Sequence, residues 1–206
     1  MKPLLRGHFH QAMFFIAFGA CLPLLMRCES LIQYLSIGAY TICALLMFGI
    51  STLYHRINWS VEKRLFWRKL DHCGIYFMIA GTFTPIAALA LQPEISKTLL
   101  LTIWIVAGFG IIQSLFFVNV PKFVSALLYV ITGYLILPYF SELIASIGTA
   151  KAITLLIGGI LYTIGAVCYA LKRPVLNPKV FSYHEVFHLF VNLGATLHFA
   201  VINSLI

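Results

Sequence analysis

The stretch VFSYHEVFHLFV, residues Val180–Val191, has two readings, and they lead to different folds. HEVFH matches H-E-x-x-H, the helix pattern of zinc peptidases, in which two histidines hold the metal and the glutamate is a general base. The same letters also open an apolar run that continues to about residue 204, long enough to cross a membrane. A five-residue match is too short to decide between them. The surrounding chain decides.

Of 206 residues, 61% are hydrophobic and 10% are charged. A soluble domain carries about 25% charged residues. A chain with so few cannot cover a water-facing surface, and the composition implies a polytopic membrane protein. The net charge of +8 is expected to lie in short loops, where it sets topology, so nucleic acid is not expected as a partner. The five cysteines, Cys21, Cys28, Cys43, Cys73 and Cys168, are odd in number and irregular in spacing, and they form no C-x-x-C. They read as small buried apolar residues, with neither a disulfide framework nor a thiolate metal site. Lys2 and Arg6 ahead of an apolar run resemble a signal peptide, but the run continues past Cys21 to Met26 and no A-x-A site follows. A retained first span is expected.

The apolar runs predict an all-α integral membrane protein, a single seven-helix domain over residues 1–206. The spans fall at about 10–28, 33–55, 70–91, 98–118, 122–141, 149–171 and 181–204, each near the ~20 residues that cross the hydrocarbon. Continuous apolar runs exclude the alternation of a membrane barrel. Pro23, Pro85 and Pro138 lie inside spans and are expected to kink them. Gly108, Gly110, Gly158 and Gly159 are expected to allow close helix approach. With a cytoplasmic N-terminus, the cytoplasmic segments hold Lys2, Arg6, Arg56, Lys63, Arg64, Arg68, Lys69, Lys122, Lys172, Arg173 and Lys179, while the other side holds only Arg27, Lys97 and Lys151. This asymmetry predicts N-terminus inside and C-terminus outside. The expected location is a multi-pass plasma membrane position, the bacterial inner membrane. No internal repeat is visible, which argues against a secondary transporter. No polar path reaches the outer face, so a channel or proton-coupled transporter ranks third among the functions considered.

Ionisable groups inside apolar spans are functional candidates by default. Ser51 and His55 share a helix face in STLYH at the end of span two. Asp71 and His72 open span three in LDHCGIY, and His184 and His188 share a face in span seven. Span two ends on the side where spans three and seven begin, so His55, Asp71, His184 and His188 lie at similar depth. Three imidazoles suit a zinc ion, which in catalytic sites keeps three protein ligands and an open position. The expected metal ligands are His55, His184 and His188. Asp71 is expected to orient a water or take its proton, and Ser51 to bond that water or a substrate carbonyl. His8 and His10 precede the first span and are expected at the interface. His198, ten residues beyond His188, is expected to be a buried hydrogen-bonding residue. Peptidase activity is not expected despite HEVFH: the third ligand lies far upstream, no acidic residue follows His188, and Glu185 is about 100° around the helix from His184.

Taken together, STLYHR, DHCGIYFMIAGTFTP and HEVFHLFVNLGATLHF resemble the three signature segments of the hemolysin III family, within the progestin and adipoQ receptor (PAQR) superfamily related to alkaline ceramidases. The resemblance runs from about Arg6 to His198. It implies seven transmembrane helices with the N-terminus inside and a zinc ion near the cytoplasmic leaflet. It places the ligands at His55, His184 and His188, the acid at Asp71 and the serine at Ser51. Cys73 stands where many relatives have Ser, and Phe83 where many have Tyr. The expected function is zinc-dependent intramembrane hydrolysis of lipid amide or ester bonds, with membrane lipids as partners and a lipid-like substrate. The alternative is a non-enzymatic membrane-homeostasis regulator or cytolysin with a structural zinc.

Overall fold

The computed structural model describes residues 3–206; Lys2, counted above among the basic residues, lies outside them. The chain is all α. Its helices are α1 (His8–Met26), α2 (Leu31–Arg56), α3 (Val61–Ala90), α4 (Pro93–Phe116), α5 (Lys122–Gly133), α6 (Phe140–Ile147), α7 (Thr149–Leu171) and α8 (Tyr183–Asn203). α5 and α6 are joined by a 3-10 turn at Leu137–Tyr139 and together form one span, so seven segments are long and apolar enough to cross a membrane.

Two spans differ most from the sequence expectation, and the fourth helix begins at Pro93 rather than near residue 98. The third helix begins at Val61 rather than near residue 70. Its first nine residues read VEKRLFWRK, too polar for a hydropathy window to register. The fifth span, expected as one helix over 122–141, stops at Gly133 and resumes at Phe140. Pro138 sits in the intervening turn, where its missing N–H and fixed φ suit a 3-10 connection. Pro23 and Pro85 lie inside α1 and α3, which continue past them.

The helices close a ring in the order α1, α2, α3, α4, α5, α7, α8 and back to α1. α3 also touches α6 and α8 across the ring. In its most apolar stretch 67% of residues are buried, against 17–44% in the other spans, so α3 is the central element. Large apolar side chains face outward elsewhere, among them Phe15, Phe18 and Leu22 on α1 and Phe109, Ile112 and Phe116 on α4. Such a surface would aggregate in water but matches lipid tails. Several threonine hydroxyls within the spans are satisfied by their own helices. Thr41, Thr84, Thr132 and Thr163 each donate to the carbonyl four residues earlier.

Of the four glycines expected to permit close approach, Gly110 lies against the Tyr76 ring and Gly158 against His198, where a Cβ would collide. Gly108 has open space beside it, and Gly159 has only Tyr134 at 4.0 Å.

Candidate metal centre

α8 begins where it does because its first turn is tied down. The carboxylate of Glu185 accepts the backbone N–H of Ser182 at 2.8 Å. This is the reach-back half of a capping box, S-x-x-E. Its other oxygen pairs with the Nε of Arg6, and Glu185 is fully buried. A buried carboxylate without a partner costs several kcal/mol, roughly 3–5 when its partner is removed. The glutamate of HEVFH is thus engaged in holding the start of the helix that carries the two histidines.

His184 and His188, one turn apart on α8, face the last turn of α2. His184 Nε2 lies 3.2 Å from His55 Nε2, and donor atoms of His55, His184 and His188 all lie within 4.8 Å of one another. His55 and His188 are 5% and 1% exposed. Asp71 reaches in from the third turn of α3, with Oδ2 3.7 Å from His55 Nε2. The structure thus brings together the four residues that the sequence placed at one depth. His72 instead turns back on its own helix, donating Nδ1–H to the Arg68 carbonyl at 2.8 Å.

The segment before α1 packs beside this cluster. Leu4 and Leu5 donate backbone N–H groups to the carbonyls of Lys179 and Val180, at 2.8 and 3.2 Å. Gly7, with φ +85°, then packs against α2, and a Cβ there would stand 2.7 Å from the Cβ of His55. Glycine is required on both counts, backbone conformation and space.

His10 corrects the sequence expectation. It is buried, 3% exposed, rather than interfacial. Its ring stacks on His188 with centroids 3.7 Å apart and planes 6° from parallel. Its Nδ1 is 2.9 Å from Ser51 Oγ. Two residues apart on a helix, side chains do not share a face. His8 accordingly points outward, 2.7 Å from the Arg56 guanidinium, while His10 points in. That divergence was readable from the H-x-H spacing at the head of the first span.

His10, Ser51, Asp71, His184 and His188 form the polar end of one cavity of about 160 Å³. The rest of its wall is almost wholly apolar, supplied by Ile75, Met78, Ile86, Leu143, Leu155 and Phe187 among others. His198 also lines it, about 15 Å along α8 from His188. There its Nε2–H donates to the Leu155 carbonyl at 3.0 Å, the hydrogen bond that the sequence predicted, from a half-buried rather than a fully buried position. At the margin of the cluster, Lys122 donates to the Tyr183 hydroxyl at 3.0 Å and lies 4.5 Å from the ring centre of Tyr169.

The histidines fit a metal ion. Two nitrogens on a tetrahedral zinc, with bonds of ~2.0–2.1 Å, stand roughly 3.3–3.4 Å apart. The 3.2 Å between His55 and His184 is close to that. Donor atoms of all three histidines lie within 4.8 Å of one another, so a single ion can reach all of them. Imidazole-only donors suit zinc but also other first-row divalent ions.

A profile described as Haemolysin-III related matches residues 1–199. The chain is similar to Hemolysin-3 of Bacillus cereus, 36% identical over 160 residues, covering 78% of this chain and 70% of that protein. It is similar to the Hemolysin-3 homolog of Bacillus subtilis (strain 168), 33% identical over 164 residues, with 80% and 74% covered. More distantly, it is 27% identical over 168 residues to the human monocyte to macrophage differentiation factor, with 78% and 65% covered. It is 28% identical over 192 residues to the adiponectin receptor protein of Drosophila melanogaster, with 82% and 42% covered. The chain belongs to the haemolysin-III family, related to those PAQR proteins.

Proposed function

We propose that this haemolysin-III family member is a zinc-dependent hydrolase of lipid amide or ester bonds. It would sit in a bacterial inner membrane with its N-terminus and metal centre on the cytoplasmic side. One observation carries the reading: three buried imidazoles and a carboxylate cluster together, and three of these four groups, His184, His188 and Asp71, line an otherwise largely apolar cavity. An acyl chain suits the apolar wall, and its carbonyl would then rest among the polar groups. The eleven-to-three asymmetry of basic residues supports the orientation.

In this reading His55, His184 and His188 hold the ion. A zinc ion there supplies a Lewis acid that polarises a carbonyl and acidifies water toward a pKa of ~7. Asp71 takes the proton from the attacking water. The water oxygen bonds to the carbonyl carbon, the carbon–nitrogen or carbon–oxygen bond breaks, and Asp71 returns the proton to the leaving atom. Ser51, bonded to His10, holds its hydroxyl beside the same space. Glu185 takes no part, because both its oxygens are engaged elsewhere.

The test is turnover of a lipid panel (ceramides, lysolipids, acyl esters) by zinc-loaded protein beside Asp71→Asn. The reading expects Asp71→Asn to lose about 10²–10⁴-fold in kcat with zinc retained. A second reading, a structural metal in a membrane regulator or cytolysin, is favoured by the burial of all three histidines and by the names of the Bacillus relatives. It expects no turnover on any lipid and a fully functional Asp71→Asn.

A further inference from the structure

Imidazoles that bind metals are usually held in their plane by a hydrogen bond from the second ring nitrogen to a carboxylate, carbonyl or water. His188 departs from that arrangement, since its Nδ1 is buried without a partner. What lies against it is another imidazole, face to face: His10, at 3.7 Å and 6°. So short and parallel a contact leaves the ring little room to tilt, because its whole face is packed. His10 is itself fixed. Its Nδ1 meets Ser51 Oγ at 2.9 Å, and Phe48 abuts it edge-on at 5.3 Å.

We infer that His10 is a positioning residue of the metal centre. It orients His188 through the flat contact of the two rings, and it is held for that task by Ser51. The proposal rests on the metal reading above and extends it to the first helix, which otherwise contributes nothing to the site. It gives α1 a stated job. α1 touches both α2 and α8, the two elements that carry the three histidines, and His10 bridges from Ser51 on α2 to His188 on α8. Ser51 thereby acquires a second role, holding His10, beside the one proposed for it at the substrate.

The ring and the nitrogen of His10 can be separated by substitution. His10→Phe keeps a flat ring against His188 and loses the bond to Ser51. His10→Leu keeps the bulk, so the core stays filled, and loses both. His10→Asn places an amide atom where Nδ1 was and loses the ring. The measurement is zinc affinity of full-length protein in detergent, by competition with a chromophoric chelator. Alongside it, the visible spectrum of the cobalt-substituted protein reports ligand geometry. The expected result is an affinity within threefold of wild type for His10→Phe. His10→Leu and His10→Asn should weaken binding by 10–100-fold, the range for lost supporting partners of a metal ligand, with altered cobalt bands. Wild-type affinity and spectrum in His10→Leu would overturn the inference while leaving the metal centre standing. So would a loss in His10→Phe as large as in His10→Leu, since the flat contact would then not matter. A wild-type protein that binds no zinc would overturn the metal reading and this inference together.

Discussion

The two ends of the bundle use the same devices to different purpose. At the end away from the histidines, Ser30 caps α2 in a reciprocal box with Gln33, and Arg27 reaches across to Asn203, all at the exposed surface. At the histidine end, Glu185 caps α8 through Ser182, and Arg6 reaches across to Glu185. Here the carboxylate is fully buried and the guanidinium largely so. The first set ties off helix ends. The second set does that and also fixes the helix turn that carries His184 and His188. Burial converts an ordinary cap into a support for the site.

That contrast predicts a graded series. Glu185→Ala should cost about 3–5 kcal/mol of stability, because Arg6 is left without its buried partner, and it should loosen the metal centre with it. Glu185→Gln retains an acceptor for Ser182 and should cost less. Thermal unfolding in detergent checks both; equal losses in the two variants would show that the charge is irrelevant. Gly7→Ala should cost about 1–2 kcal/mol from its left-handed backbone alone, and more from the collision with His55, with zinc affinity lowered. Gly38→Ala, with open space around it, should instead be neutral or stabilising by up to about 1 kcal/mol. Ser30→Ala should be the mildest loss, about 0.5–2 kcal/mol, with zinc content unchanged. A fall in zinc content there would mean that the two ends are coupled, contrary to this account.

The spans were legible because lipid demands apolar runs, and hydropathy reads them directly. What hydropathy missed follows from what it averages. Val61–Lys69 is helical but charged, so α3 extends beyond its apolar run and Asp71 sits a third of the way along the helix rather than at its start. The break between Gly133 and Phe140 is equally apolar on both sides, and only Pro138 marked it. At the site, depth alone brought His55, Asp71, His184 and His188 to one level, since alternate spans share an end. Depth could not say which way His10 faces, and its position before the apolar run disguised it as interfacial. The S-x-x-E spacing of Ser182 and Glu185 was a helix-start signal lying within the H-E-x-x-H match. Overlapping motifs competed for one glutamate, and the cap holds it.

The central claim is that residues from α2 and α8, 129 positions apart, build one metal centre. Elemental analysis of the purified protein beside His55→Ala and His184→Ala tests it most directly. The account predicts near one zinc per chain in wild type and almost none in either variant. A metal-free wild type, or zinc retained in full by His55→Ala, would contradict it.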